Sequence, residues 1–167
     1  MKIGIAILSA MAGTWAGWSL YAGHTGHWAY VGGLIVALIP MLLMMRRCFA
    51  PRTTEEARRM GRLVGLASFV EVVAIVVGVQ ILAHAGRSDL IVCLIAAVVG
   101  LHFFPLARWM PMPKYYLSGL ALLAAACVGV VIPAEYRVVF VAGAASVVLW
   151  LTALNLVLAL PRSSPQM

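Results

Sequence analysis

Six apolar runs alternate with short polar breaks along the chain: Ile3–Tyr21, Trp28–Met45, Leu63–Leu82, Leu90–Leu106, Tyr116–Pro133 and Val138–Leu160. Each approaches the length, about 20 residues, that an α-helix needs to cross the hydrocarbon of a bilayer. The breaks are short except for the basic stretch 46–62, and short breaks force consecutive helices to run antiparallel. The pattern predicts an all-α fold: one polytopic transmembrane bundle of six helices over residues 1–167, with no soluble domain. The first run has a second reading. Lys2 followed by a short apolar stretch and Ala10-Met11-Ala12 has the form of a leader with a small-residue cleavage site. The stretch before that site is short for a leader, so a spanning helix is expected; cleavage would leave five.

Composition agrees. Hydrophobic residues make up 64% and charged residues 10% of the chain. A soluble domain carries about a quarter of its residues as charges, so lipid must cover most of this surface. The net charge of +7 changes the picture only through its placement. Ten basic residues (Lys2, six between Arg46 and Arg62, Arg108, Lys114 and Arg162) fall on one side of the predicted bundle, and Arg87 and Arg137 fall on the other. The positive-inside rule then places both termini in the cytoplasm, as in a multi-pass protein of an inner (plasma) membrane. Trp109, Tyr115 and Tyr116 flank Lys114 as an interfacial aromatic belt does, and Trp18, Tyr21, Trp28 and Tyr30 match them at the outer face. The basic residues suit membrane lipids as partners, anionic ones in particular. They offer no soluble surface to nucleic acid outside 46–62.

Within that basic stretch Pro51 stops the second helix, and Thr53 through Glu56 reads as a capping box. The third helix is therefore expected to start near Thr54, before the membrane, with Glu55 one turn from Arg59. Small residues at helical spacing recur: Ala6, Ala10, Gly13 and Gly17 in the first run, Gly61 and Gly65 at the third, Ala121, Ala125 and Gly129 in the fifth. Such seams let helix backbones approach closely. They serve packing within one bundle or a homo-oligomer face.

Charged groups deep in a membrane persist only with partners. Glu71 is the one acidic residue well inside a run, and its face also carries Ala67, Ser68, Ala74 and Gly78. His102 is the expected partner. Glu71 lies nine residues past Arg62 and His102 six before Arg108, roughly 13 Å and 9 Å from the same face at 1.5 Å per residue. Asn155 and Thr152 of the sixth run sit at a comparable depth, and Pro105 frees a backbone carbonyl nearby. Glu71, His102, Asn155, Thr152, Ser68 and Arg108 form the candidate polar site.

Three readings of that site stay open: a structural hydrogen-bonded plug, a proton relay or solute site, and an intramembrane enzyme or metal centre. The sequence leaves any cofactor unknown, and H-E-x-x-H is absent. His24, His27, His84 and Asp89 make a looser outer-face set that would bind a metal only if its loops met. Cys48, Cys93 and Cys127 lie in no CxxC pair.

The segment Gly100-Leu101-His102-Phe103-Phe104-Pro105-Leu106-Ala107-Arg108 resembles one found in small bacterial integral membrane proteins of unknown function. The resemblance covers the fourth run and implies neither substrate nor catalytic residues. The function expected is a carrier or channel for protons or a small solute through Glu71 and His102. The alternatives are a noncatalytic membrane subunit or scaffold and, third, an enzyme acting on lipid or quinone.

Overall fold

The computed structural model describes residues 2–23, 54–110 and 112–158, together with positions 31, 32, 35, 39 and 42. Among these residues the chain is helical throughout, with five α-helices and no strand: α1 (Lys2–Ala22), α2 (Thr54–His84), α3 (Ile91–Trp109), α4 (Lys114–Val131) and α5 (Ala134–Leu158). A short 3-10 turn, Ser88–Leu90, precedes α3. Four of the helices, α2 to α5, are long and apolar enough to cross a membrane. At 21 residues α1 spans about 31 Å. The second run and the Thr53 cap lie outside the described residues, apart from five helical positions within 31–42.

The turns follow from local chemistry. Gly86 adopts φ +68, a left-handed conformation that glycine enters at little cost. It closes α2 in a Schellman motif: the Arg87 amide donates to the Leu82 carbonyl (2.8 Å) and the Gly86 amide to Ala83 (3.1 Å). Pro133 ends α4 earlier than the apolar pattern predicts. The residue before a proline is pushed out of the helical region, and Ile132 is extended at φ −73, ψ 156. The helix therefore stops at Val131, and α5 starts at Ala134 rather than Val138. Pro105 does not stop α3, which continues to Trp109.

Contacts between helices fix their directions. Gly100 meets Gly119 and Phe103 stacks on Tyr115, so α3 and α4 are antiparallel. Ser118 meets Thr152 and Gly129 meets Val141, so α4 and α5 are antiparallel. Glu71 with His102 and Gly78 with Leu94 give the same relation for α2 and α3. Ser146 Oγ donates to the Ala12 carbonyl and Ser19 Oγ to Val139, both at 2.8 Å, which sets α1 antiparallel to α5. It follows that α1 and α2 point the same way. The chain leaves α1 at one end of the bundle and enters α2 at the other.

The core lies between α1, α3, α4 and α5. Ile5, Leu122, Leu149, Val92, Val141 and Val157 are its largest fully buried side chains. Two close approaches hold it. A Cβ on Gly119 would stand 2.8 Å from the Gly100 carbonyl oxygen, and one on Gly129 would stand 2.3 Å from Val141 Cγ2. The seams expected from spacing fare unevenly. Gly13, Gly17, Ala125 and Gly129 are buried, Ala10 and Ala121 are exposed, and nothing lies within 4 Å of where a Cβ would stand on Gly61 or Gly65.

Candidate functional site

Glu71 sits midway along α2 and His102 two turns from the end of α3. Antiparallel packing brings them level, with His102 Nδ1 3.3 Å from Glu71 Oε2. Both side chains are largely withdrawn, 13% and 11% exposed. The flanking residues on α2 are apolar, so a lone carboxylate here would be costly. One proton held between the carboxyl and the imidazole leaves the pair neutral as a unit, which offsets that cost. The His102 ring packs edge-on against Phe103, which in turn lies 5.4 Å from Tyr115 of α4. The sequence reasoning that matched Glu71 and His102 by depth thus finds both residues in contact.

The rest of the expected site does not gather there. Thr152 is buried, with its hydroxyl 2.6 Å from Ser118 Oγ, and it also donates to the Val148 carbonyl. Asn155 accepts from Lys114 Nζ at 3.3 Å and donates to the Leu151 carbonyl. Depth along the axis was right for both, but they face α4 rather than α3. Ser68 is half-buried one turn before Glu71, and Arg108 is exposed at the end of α3. The expected residues therefore divide into one Glu71–His102 contact between α2 and α3 and two rungs between α4 and α5, the buried Ser118–Thr152 and the exposed Lys114–Asn155.

Of the outer set, His24 and His27 lie outside the described residues. His84 Nδ1 donates to the Gln80 carbonyl at 2.8 Å. Asp89 is engaged elsewhere: it pairs with Arg137 and lies 3.5 Å from Arg87 Nε. Among the described residues no three His, Cys, Asp or Glu side chains come together as a metal site.

Arg137 is the residue that sequence reasoning missed. It served there only as a mark of topology, in a loop before the sixth helix. Because Pro133 ends α4 early, Arg137 instead falls in the first turn of α5 and turns inward, 6% exposed. Its Nε donates to the Gly129 carbonyl at 2.7 Å and its Nη2 to Ile132 at 3.1 Å, while Nη1 binds the Asp89 carboxylate. The Gly129 and Ile132 acceptors are carbonyls at the end of α4, which have no partner within their own helix. One guanidinium fork thus joins the start of α3, the end of α4 and the start of α5.

No protein-family model matches this chain, and no curated protein or solved structure matches it either.

Proposed function

We propose that this chain is a six-span protein of an inner membrane that passes protons through the Glu71–His102 pair. The observation that carries the reading is the pair itself: a carboxylate and an imidazole 3.3 Å apart, both withdrawn from the surface, in helices otherwise fit to span a bilayer. Imidazole exchanges protons near neutral pH, and intramembrane carboxylates mark proton pathways. The parallel directions of α1 and α2 support the six-span count. A chain that must return between them needs one more crossing, and the run Trp28–Met45 has the length for it. The exposed arginines Arg58, Arg59 and Arg62 at one end of α2, with Arg108 and Lys114 at the same end, favour a cytoplasmic position for that end and for both termini. They also suit anionic lipid headgroups. A small solute in place of the proton, and pairing of two copies through the open Gly61–Gly65 face, belong to the same proposal as its lesser variants.

A second reading has its own observation. Among the described side chains the pair is the only polar contact that α2 makes with another helix, so it also serves as a tie in a scaffold or noncatalytic subunit. Proton flux separates the two. Purified protein in liposomes with a trapped pH dye, an imposed pH gradient and a potassium diffusion potential should collapse the gradient faster than empty liposomes. Glu71→Gln keeps the size and hydrogen-bonding capacity of the side chain but removes its titration. It should slow the flux at least about tenfold, a typical share for a group that relays a proton. Equal rates for wild type and Glu71→Gln would leave only the scaffold.

A further inference from the structure

Two parts of the bundle are held in very different ways. The α1, α3, α4, α5 unit is locked by backbone contact at Gly100–Gly119, by the serine bonds between α1 and α5, and by the Arg137 fork across three helix ends. In each of α3, α4 and α5, 39–44% of the apolar stretch is buried, whereas in α2 it is 6%. Beside the apolar packing of Val64 and Ala67, two contacts between α2 and α3 stand out among the described residues. One is Gly78, where a Cβ would stand 2.6 Å from Leu94 Cδ2. The other is the Glu71–His102 pair, two turns nearer the arginine-bearing end.

We propose that α2 is the moving helix of this protein, pivoting where Gly78 meets Leu94, and that the Glu71–His102 pair is the latch holding its arginine-bearing half against α3. The inference rests on the reading of the pair as a site that exchanges protons. In the latched state the carboxylate and imidazolium attract each other and carry no net charge. When the Glu71 carboxylate takes a proton from hydronium at low pH, an O–H bond forms, water is released and the carboxylate charge is lost. The attraction is lost, and an imidazolium stays behind without a counter-charge. Withdrawing α2 at that end lets water reach the imidazolium. The glycine contact at Gly78 has no ionisable group and stays closed.

The surroundings leave Glu71 to this role. Among the described residues His102 is the ionisable side chain that contacts it, at 3.3 Å. On α3, Arg108 is exposed at the helix end and Cys93 is buried beside Gly129 toward the other end. Arg87 and Asp89, in the turn that joins α2 to α3, are at the pivot end, with Asp89 held by Arg137. Tyr115 of α4 packs against Phe103, with ring centroids 5.4 Å apart.

Spin-label distances test this in lipid nanodiscs, with Cys48, Cys93 and Cys127 replaced by alanine. One label pair goes on Arg62→Cys and Leu117→Cys, exposed positions at the arginine-bearing ends of α2 and α4. A second goes on Ala83→Cys and Val131→Cys, at the pivot end. Lowering the pH from about 7.5 to about 4.5 should lengthen the first distance by about 5 Å, the scale of a one-turn helix shift, and leave the second unchanged. Glu71→Gln should show the longer distance at both pH values. A first distance that ignores both pH and Glu71→Gln overturns the proposal, and so does an equal change at both ends. Proton flux plays no part in these distances, so a silent flux assay with a moving α2, or the reverse, tells the two readings apart.

Discussion

Replacing Arg137 with alanine is expected to lower the melting temperature in detergent or nanodiscs by on the order of 10 °C, the largest stability effect of any alanine substitution described here. The guanidinium is buried and every arm of it is in use. Its removal leaves the Asp89 carboxylate without its main partner and the end carbonyls of α4 without donors. A withdrawn carbonyl left without its donor costs about 1–3 kcal/mol, and Gly129 and Ile132 each lose one, whereas Asp89 is exposed and keeps Arg87. Arg137→Lys separates charge from shape. A lysine retains the attraction to Asp89 but cannot present a planar fork to Gly129 and Ile132, so an intermediate loss is expected. If Arg137→Ala melts within about 2 °C of wild type, the fork is not what joins the three helix ends.

Gly119→Ala should come next, at about 1–3 kcal/mol, the usual cost of adding a methyl to a packed contact. The new Cβ would meet the Gly100 carbonyl oxygen at 2.8 Å and Phe104 Cε2 at 2.9 Å. A phenyl ring can turn aside, but a backbone carbonyl moves only if α3 and α4 separate. Gly119→Leu should therefore force the helices apart and lose the folded form. The control is Gly65→Ala, at an exposed glycine with nothing within 4 Å of its would-be Cβ. There the better helix propensity of alanine should leave stability equal or raise it by up to about 1 kcal/mol. A stability loss at Gly65 that depends on protein concentration would instead mark that face as a contact between copies.

Where the sequence was readable and where it was not follows from what spacing encodes. Hydropathy located α3, α4 and the C-terminal end of α2 to within a few residues, because a helix that must sit in lipid has no polar alternative; the start of α2 at Thr54, nine residues before its apolar run, was signalled by the Thr53–Glu56 pattern instead. Rise per residue placed Glu71 and His102 at one level, and consecutive antiparallel helices left them little choice but to meet. The same arithmetic put Thr152 and Asn155 at that level yet could not say which neighbour they face, and they turned to Ser118 and Lys114. Arg137 was hidden by a boundary: reading the fifth run through Pro133 left the arginine in a loop, when the proline in fact places it inside α5. The Gly100–Gly119 crossing belongs to two different helices, so no spacing within one of them announces it. In α1 the step-of-four seam was half right: Gly13 and Gly17 are buried, but Ala10 is exposed, and the burial before them runs through Ile5, Leu8, Ser9 and Ala12.

The acidity of Glu71 can be observed without any transport assay, by infrared titration of the protein in lipid. The chain has five carboxylic side chains, so the band must be assigned by difference. Acidification should bring up a carboxylic C=O stretch that is missing in Glu71→Gln and is displaced in His102→Ala, where the carboxyl group loses its imidazole partner. A titration identical in wild type and Glu71→Gln would mean that Glu71 never exchanges a proton in the membrane, and the pair could not be a proton site.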